Sequence, residues 1–342
     1  MDSAGVSASL LGWLRRSLGT PGLEFAKPPA RIHGGFDTAI YAFRLADAPA
    51  PFAGPLVLRL YRAERGAAQA RFEGAVHRAI AERGYPTPRA LAIGEGASEP
   101  GAFLILEQVV GRNALGALLS PAFARVPALL ADAQARLHAL DAPDVSRHLA
   151  AAGVPLERLE VDRDLADATA ELERLSLDGL RRALDWLVAE RPAPRASRVV
   201  CHGDFHPLNV LVSGGAVSGV IDWTRMRIAP PEYDVGASVA LMSQGEIALP
   251  ALVAPVARAG RRALVELYLR AYRKHRALDP QALRYYEALR CLLFLVEAGE
   301  HHRADAGAVP RPSKATAFAA APTVRRIGAR VQEITRVEVA LP

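Results

Sequence analysis

The chain has 342 residues, which is enough for one large hydrophobic core or for two lobes. Hydrophobic residues make up 51% of the chain and charged residues 23%, so the composition is that of a globular protein and excludes a disordered one. The net charge is +6, but the arginines are scattered along predicted helices, with no basic tail and no interleaved aromatic residues, so we expect no nucleic-acid partner.

Residues 1–25 predict a leading amphipathic helix that packs on an N-terminal lobe. Their apolar stretch is short and is broken by Arg15 and Arg16, which argues against a signal peptide. No segment has the run of apolar residues that a membrane span requires, so we expect no membrane association. The two cysteines, Cys201 and Cys291, lack metal-site spacing and predict buried thiols in a reducing, cytoplasmic setting.

Elements between residues 31 and 106 predict an antiparallel sheet with one long helix. The helix is predicted over residues 64–83 from the spacing of its apolar residues, with Gly84 as its C-terminal cap. The strands are predicted from short apolar runs bounded by turn residues, at 31–45 (two strands joined by a glycine turn), 55–62, 90–94 and 103–106.

From Asn113 onward the spacing of apolar residues becomes helical, which predicts a larger, mainly helical C-terminal lobe. His138 lies on an apolar helix and is predicted to be a packed core histidine. Asp234 precedes an apolar helix and is predicted to be its N-cap. The helices are predicted at 121–142, 156–175, 177–190, 234–242, 256–277, 280–302 and 314–336.

The run from Val199 to Asp222 has the strongest functional signal in the chain. It predicts a short apolar strand, a polar loop over 202–208 and a hairpin with arms at 209–212 and 217–221. The spacing of three loop residues matches the H-x-D-x-x-x-x-N pattern of the kinase catalytic loop, and Asp222 takes the place of the kinase metal-binding aspartate. The three loop residues are His202, Asp204 and Asn209.

The chemistry of phosphoryl transfer explains this choice of residues, because the reaction needs positioning and neutralised charge rather than covalent catalysis. Asp204 can accept the proton of an attacking hydroxyl. Asn209, a neutral oxygen donor, and Asp222, an anionic one, can share Mg²⁺, which prefers oxygen ligands. Each residue alone is common in turns for reasons of backbone geometry, but the complete set at this spacing favours a functional interpretation.

The sequence CHGDFHPLNVLV followed by GVIDW resembles the catalytic motif of the aminoglycoside phosphotransferase and choline kinase-like family, small-molecule kinases that share the protein-kinase fold. The resemblance implies an α+β, two-lobed fold: an N-terminal nucleotide-binding lobe at 1–110 with a small antiparallel sheet, and a mainly helical lobe at 111–342 with the catalytic loop and acceptor site. It implies transfer of the γ-phosphoryl group of ATP or GTP to a hydroxyl of a small acceptor, with Mg²⁺, and includes antibiotic-modifying enzymes.

The same resemblance implies a nucleotide site in the N-terminal lobe. The glycine turn at Gly34 and Gly35, with Thr38 near its tip, would bring backbone N–H groups to the triphosphate, although the G-x-G-x-x-G pattern of protein kinases is absent. Backbone groups near Glu107 and Val109, in a hinge over residues 107–111, would bind the adenine edge.

Arg59 takes the place of the lysine that grips the nucleotide phosphates in protein kinases. Glu73 on the long helix resembles the glutamate that pairs with this basic residue, which predicts an Arg59–Glu73 ion pair. The alternative is a surface Glu73 facing a neighbour one helical turn on, such as His77.

His206 lies inside the loop between Asp204 and Asn209. It could contact the γ-phosphate or the product, or it could make a structural hydrogen bond. Asp234, besides its role as N-cap, resembles the family aspartate that braces the catalytic loop.

Two other functional classes remain open. A nucleotide-binding regulatory module without transfer activity would explain Arg59 as a sign of lost catalysis, and the intact catalytic residues argue against it. A protein kinase is disfavoured because the A-P-E segment is missing and the stretch after Asp222 is too short for an activation loop. The C-terminal third has more basic than acidic residues, which favours a neutral or less cationic acceptor over a polycationic aminoglycoside.

Overall fold

The computed structural model describes residues 3–32, 38–61, 66–95, 101–118, 124–194, 197–245, 254–305 and 319–340. The chain divides into two compact units. The N-terminal unit comprises Met1–Gly111, His148–Val154 and Ser218–Thr224, and the C-terminal unit comprises Arg112–Arg147, Pro155–Val217 and Arg225–Pro342.

The N-terminal unit is built on a five-stranded sheet in the order β1-β2-β3-β5-β4. All four pairs of neighbouring strands are antiparallel. The strands are β1 (Glu24–Ile32), β2 (Ala39–Ala46), β3 (Leu56–Leu60), β4 (Ala90–Glu95) and β5 (Ala102–Glu107). This is the small antiparallel sheet that the sequence predicted.

Two helices cover opposite faces of this sheet, because side chains along a strand alternate between its faces. On β5, Phe103 and Ile105 pack in one cluster with Leu10 of helix α1 (Ser3–Leu18). Leu104 and Leu106 pack in a second cluster with Ala70 of helix α2 (Gly66–Glu82). The leading helix therefore packs on the N-terminal unit as predicted.

Helix α2 ends at the predicted cap. Gly84 has a φ of 70°, in the left-handed region that glycine adopts without steric cost. Its N–H donates to the carbonyl oxygen of Ala81 at 3.0 Å, and the N–H of Tyr85 donates to Ile80 at 3.4 Å. The helix thus stops where the chain must turn toward β4.

The helices of the rest of the chain follow the predicted order, apart from α3 and α5, which the sequence did not predict. They are α3 (Ala114–Leu118), α4 (Val126–His138), α5 (Ala142–Ala151), α6 (Asp162–Arg174), α7 (Arg181–Ala189), α8 (Pro231–Gln244), α9 (Ala254–Tyr272), α10 (Pro280–Asp305) and α11 (Ala321–Thr335). The helix predicted over 156–175 is a short 3-10 turn followed by α6. None of the helices that the structure describes is long and apolar enough to cross a membrane.

Helices α6, α7, α8, α10 and α11 share one hydrophobic core with two short strands. These strands, β7 (Val199–Cys201) and β10 (Arg227–Ala229), pair antiparallel and are buried at every residue. A second small sheet, in the order β6-β8-β9, contains β6 (Arg112–Asn113) and the predicted hairpin of β8 (Val210–Ser213) and β9 (Ala216–Val220). The catalytic loop connects β7 to β8.

The prediction that Asp234 caps its helix is wrong. Helix α8 begins at Pro231, so Asp234 lies in its first turn and Pro230 occupies the N-cap position. Proline at the first helical position has its φ already set for a helix and lacks only an N–H that would have no helical partner. The helix therefore starts earlier than the position of Asp234 suggested.

Candidate active site

The catalytic loop, residues 202–209, begins at the end of a rigid strand. Cys201, the last residue of β7, is 0% exposed and faces Arg227 of β10. Burial raises the pKa of the Cys201 thiol well above its usual value, so the side chain is a protonated packing group. This agrees with the buried thiol that the sequence predicted.

Asp234 braces the loop from helix α8, as the resemblance implied. Its Oδ1 accepts the N–H of Gly203 at 2.6 Å. Its Oδ2 accepts hydrogen bonds from the side chains of His138 at 2.9 Å and Gln134 at 2.8 Å. Burial raises the pKa of Asp234, but the hydrogen bonds from His138 and Gln134 and the electrostatic attraction to His138 and His202 together outweigh burial, so the pKa lies below its usual value. His138 is 2% exposed, which makes it the packed core histidine that the sequence predicted.

Gly203 stands where protein kinases have an arginine, and the structure gives the physical reason. Its φ is 76°, and a Cβ added there would lie 2.2 Å from the carbonyl oxygen of Arg225. Real Cβ atoms do not approach backbone oxygens so closely. No side chain fits at this position, which lets the loop pass directly against the segment that follows Asp222.

Asp204, the predicted base, is 2% exposed and has partners at both carboxylate oxygens. Oδ1 lies 3.2 Å from Nη2 of Arg290, and Oδ2 accepts from Nδ2 of Asn209 at 3.1 Å. The backbone N–H of Asp204 donates to Nδ1 of the fully buried His202 at 3.2 Å. These contacts fix both the backbone and the carboxylate of Asp204.

Asn209 is oriented by its amide nitrogen. Nδ2 donates to the backbone oxygen of Asp204 at 2.9 Å as well as to its carboxylate. Because the nitrogen is used inside the loop, the carboxamide oxygen is the atom left for another ligand. A neutral oxygen of this kind suits a hard cation such as Mg²⁺.

His206 makes structural contacts within the loop. Its Nδ1 accepts the backbone N–H of Leu208 at 3.3 Å. Its Nε2 lies 3.2 Å from Nδ2 of Asn209 and 3.5 Å from Oδ2 of Asp204. The structural alternative for His206 is present, and contact with a phosphate remains a hypothesis.

Arg59 of β3 lies between two carboxylates of the N-terminal unit. Its Nη1 is 3.4 Å from Oε2 of Glu73 on α2, and its Nη2 is 3.5 Å from Oδ1 of Asp222. The side chains of Arg59 and Glu73 are 8% and 0% exposed, so the predicted ion pair is present and a surface Glu73 is excluded. The two carboxylates raise the pKa of Arg59 although burial lowers it.

Asp222 has a backbone conformation that is rare for a residue with a side chain. Its φ is 70°, and its Oδ1 accepts a hydrogen bond from Thr224 Oγ1 at 3.1 Å. Non-glycine residues in this region are uncommon, and aspartate is among those that tolerate it. The strained position turns the carboxylate toward Arg59.

Trp223, the next residue, is 0% exposed and anchors this turn. Its Nε1 donates to Oγ1 of Thr87 at 3.0 Å, and the Thr87 hydroxyl donates to the carbonyl oxygen of Val220 at 3.0 Å. The backbone N–H of Val220 donates to Pro86 at 2.8 Å. The link between α2 and β4 thus holds the segment that carries Asp222.

The other predicted nucleotide residues lie in the N-terminal unit or outside the described residues. The N–H of Glu107 donates to the backbone of Arg89 at 3.0 Å, and its carboxylate accepts from Arg89 Nε at 2.9 Å. Val109 packs closely on Gly219, where an added Cβ would be 2.9 Å from Val109 Cγ1. Thr38 is half-buried just before β2. Gly34 and Gly35 lie outside the described residues.

Sequence reasoning missed a set of charged residues beside Asp204. Arg290 of α10 contacts Asp204, and its Nη1 lies 3.2 Å from Oε1 of Glu297. Arg225 forms a second ion pair with the same oxygen of Glu297. The available signal was a pair of opposite charges two helical turns apart in an otherwise apolar part of α10, since buried charges require partners.

A comparison with models of protein families matches residues 30–289 to the family described as the phosphotransferase enzyme family, APH. A search of curated protein sequences found no match. Several solved structures share the fold. A Ralstonia eutropha JMP134 protein assigned to the aminoglycoside phosphotransferases has a TM-score of 0.62 at 19% identity, covering 96% of this chain and 98% of that one.

Two further solved structures are similar over most of both chains. A mutant of aminoglycoside phosphotransferase APH(4)-Ia, in complex with ADP and hygromycin B, has a TM-score of 0.57 at 20% identity and covers 96% and 98%. Macrolide 2'-phosphotransferase MphH from Brachybacterium faecium has a TM-score of 0.52 at 20% identity and covers 90% and 97%. These similarities confirm the two-lobed, kinase-like fold class. The match over residues 30–289 shows that this chain belongs to the phosphotransferase enzyme family, as the motif from His202 to Asp222 indicated.

Proposed function

We propose that this chain is a small-molecule kinase that transfers the γ-phosphoryl group of ATP or GTP to a hydroxyl of a small acceptor. The observation that carries the proposal is the buried Asp204 carboxylate, held at one oxygen by Asn209 in a loop with kinase spacing. A carboxylate fixed in this way by a neighbouring amide is suited to orient and deprotonate a hydroxyl.

In the proposed reaction the acceptor oxygen bonds to the γ-phosphorus while the bond from this phosphorus to the β,γ-bridging oxygen breaks. The acceptor proton passes to Asp204, and the nucleoside diphosphate leaves with the bridging oxygen. Asn209 keeps the Asp204 carboxylate in one orientation, so its oxygens do not need to reorganise as the proton is transferred. Protonated Asp204 then releases the proton to solvent.

Asn209 and Asp222 are proposed to bind Mg²⁺, because each offers an oxygen of the kind that this ion prefers. The Asn209 oxygen is left over by the hydrogen bonds of its amide nitrogen, and Asp222 supplies an anionic oxygen. Bound Mg²⁺ would neutralise charge on the phosphate oxygens. Thr224, which donates to Asp222 Oδ1, restricts the rotation of that carboxylate.

Arg59 is proposed to bind the nucleotide phosphates in place of the usual lysine. Its ion pair with Glu73 fixes the guanidinium, and an arginine keeps its charge under all working conditions. The carbonyl of Glu107 and the N–H of Val109 are proposed to bind the base, because the N–H of Glu107 is already bonded to Arg89. Gly34, Gly35 and Thr38 complete the proposed nucleotide site.

The experiment is to measure Mg²⁺-dependent ADP or GDP release by the purified chain with aminoglycosides, macrolides, amino alcohols and sugars. The relatives named above act on aminoglycosides and a macrolide, so an antibiotic acceptor belongs in the panel. Asp204→Asn keeps the size of the side chain and should abolish acceptor-dependent release. Asp185→Asn changes an exposed aspartate of α7 and serves as the matched control.

Release with one acceptor class in wild type and in Asp185→Asn, but not in Asp204→Asn, would support the proposal. Equal release by wild type and Asp204→Asn would contradict the role of the base. A chain that binds neither nucleotide in the presence of Mg²⁺ would not be a kinase.

A further inference from the structure

Arg290 of helix α10 is a buried cation that contacts the proposed base from outside the catalytic loop. Its side chain is 6% exposed, and its Nη2 lies 3.2 Å from Oδ1 of Asp204. The other carboxylate oxygen, Oδ2, accepts from Nδ2 of Asn209. Because Arg290 and Asn209 approach different oxygens, the two contacts together restrict rotation of the carboxylate more than either contact alone.

Two other residues of α10 hold Arg290 in place. Its Nη1 lies 3.2 Å from Oε1 of Glu297, and its guanidinium carbon lies 4.0 Å from the centroid of the Phe294 ring. Residues 290, 294 and 297 have the i, i+4, i+7 spacing that places side chains on one face of a helix. One helix therefore sets the orientation of the guanidinium, with one terminal nitrogen directed to Glu297 and the other to Asp204.

Helix α10 is itself fixed in the core of the C-terminal unit. Its side chains Leu289, Leu292 and Leu295 are buried in the core to which helix α8 also contributes. Helix α8 carries Asp234, whose Oδ1 accepts the N–H of Gly203. The two helices thus contact different parts of the loop: α8 contacts the backbone just before the base, and α10 contacts the carboxylate of the base.

The space beside Arg290 is too small for a ligand group. A cavity lined by Gly203, Arg225 and Arg290, among others, has a volume of about 10 Å³, which is room for about one water molecule. Among the described residues, the carboxylates that contact Arg290 are those of Asp204 and Glu297, and they match its charge. Arg290 therefore acts through Asp204 and not on a bound acceptor.

We propose that Arg290 is a positioning residue for phosphoryl transfer, which holds Oδ1 of Asp204 so that the carboxylate keeps the orientation needed to accept the proton of the acceptor hydroxyl. The inference rests on the proposed kinase function and deepens it by assigning a residue outside the catalytic loop. Arg290 neither gives nor takes a proton, because an arginine keeps its charge. A misplacement of about 1 Å can lower the rate of a reaction about 10²-fold, so loss of the contact should appear in kcat.

The test measures Mg²⁺-dependent ADP or GDP release with the fastest acceptor among the aminoglycosides, macrolides, amino alcohols and sugars, or with water where none is faster. Arg290→Met removes the charge but keeps much of the length of the side chain. Arg290→Lys keeps the charge but lacks the planar fork that reaches Asp204 and Glu297 together. We expect kcat to fall about 10²-fold in Arg290→Met and less in Arg290→Lys, while KM for the nucleotide changes less than about threefold.

Arg330→Met is the matched control, because it removes an arginine from another carboxylate of the same helix. Arg330 of α11 donates to Glu287 of α10 at 2.6 Å and 2.8 Å and also pairs with Glu333, and neither glutamate lies in the catalytic loop. An ion pair with a structural role alone would lower the stability of the variant and leave kcat of the folded protein unchanged. Far-UV circular dichroism at the assay temperature and calorimetric binding of Mg²⁺·ADP measure how much of each variant is folded.

A kcat that falls in Arg290→Met, recovers in part in Arg290→Lys and stays at the wild-type value in Arg330→Met supports the inference. A wild-type kcat in folded Arg290→Met overturns it and leaves the kinase proposal intact, since that proposal depends on the Asp204→Asn comparison. An equal fall of kcat in Arg330→Met also overturns it, because the loss would then follow from destabilising α10.

If Arg290→Met does not fold, Arg290→Lys decides: a kcat below that of wild type at an unchanged KM for the nucleotide supports the inference, and a wild-type kcat overturns it. Absence of any Mg²⁺-dependent ADP or GDP release by the wild type, with or without an acceptor, overturns both this inference and the kinase proposal.

Discussion

Nη1 of Arg59 and Oε2 of Glu73 lie 3.4 Å apart in the interior of the N-terminal unit, where the Glu73 side chain is 0% exposed. The glutamate has a second fixed contact, because Gln69 Nε2 donates to its Oε1 at 3.0 Å. A carboxylate so completely removed from water depends on its cation, since burial of an unpaired charge is strongly unfavourable.

We therefore expect Arg59→Met to lower the free energy of unfolding by about 3–5 kcal/mol, because Glu73 would remain buried without its cation. The double variant Arg59→Met with Glu73→Gln should recover part of this loss, since it removes both charges. Urea unfolding of the four proteins of this cycle measures the coupling. If the double variant loses as much free energy of unfolding as Arg59→Met alone, the ion pair is contradicted.

Arg59→Lys separates charge from geometry. A lysine keeps the positive charge but lacks the planar fork that reaches both Glu73 and Asp222. We expect a smaller loss of stability than in Arg59→Met, together with a weaker affinity for Mg²⁺·ATP, measured by calorimetry. An unchanged affinity would show that Arg59 does not position the nucleotide.

Gly203→Ala should disrupt the catalytic loop. The new methyl group would meet the Arg225 carbonyl at 2.2 Å, and the residue would keep a φ of 76°. We expect a loss of stability well beyond the roughly 1–2 kcal/mol that a left-handed backbone conformation costs alone, and loss of ADP release. Gly214→Ala is the matched control, because its φ is 58° and nothing lies within 4 Å of an added Cβ. If Gly203→Ala and Gly214→Ala lose similar amounts of stability, the steric explanation is contradicted.

Thr87→Val should loosen the segment that carries Asp222. The substitution removes the hydroxyl that accepts from Trp223 Nε1 and donates to the Val220 carbonyl. We expect the free energy of unfolding to fall by about 1–3 kcal/mol and the Mg²⁺ concentration for half-maximal activity to rise. Thr87→Ser keeps the hydroxyl and should keep most of both properties. If Thr87→Ser lowers the free energy of unfolding as much as Thr87→Val does, the stability comes from packing of the methyl group and not from the hydrogen bonds.

The pKa of both cysteines is raised, chiefly by burial, so neither thiol should ionise in the folded protein at pH 8. We expect a thiol-specific chromogenic reagent at that pH to label no cysteine until denaturant is added, after which Cys201 and Cys291 should both react. Because the folded pKa lies above the unfolded value, only the unfolded chain loses these protons as pH rises above the unfolded pKa, so the free energy of unfolding should fall over that pH range. Rapid labelling in the native state would contradict the burial.

Much of the active site could be predicted from the sequence because its residues are close along the chain. His202, Asp204 and Asn209 lie in one loop whose flanking strands have simple apolar patterns. The pairing of Arg59 with Glu73 followed from the resemblance to the kinase arrangement of a strand and the helix after it. The division of roles between residues 1–110 and 111–342 remains a prediction, as do the roles of the individual site residues.

The contacts that could not be predicted join distant positions. Arg290 and Asp204 are separated by 86 positions, and no local pattern in α10 specifies which buried arginine will face the catalytic loop. The position of Asp234 was misread for a similar reason: a local capping rule competed with a proline that starts the helix earlier, and its carboxylate bonds to Gly203 instead.

The sequence by itself determined the type of most of the longer elements, the spacing of the catalytic loop and the family, because helix and strand periodicity and loop spacing are short-range properties. Tertiary packing decided what surrounds Asp204: the brace from Asp234, the close backbone that requires Gly203, and the cation of Arg290. Burial and charge pairing depend on which distant segments meet in the core, so the partners of Asp204 could not be predicted from local patterns.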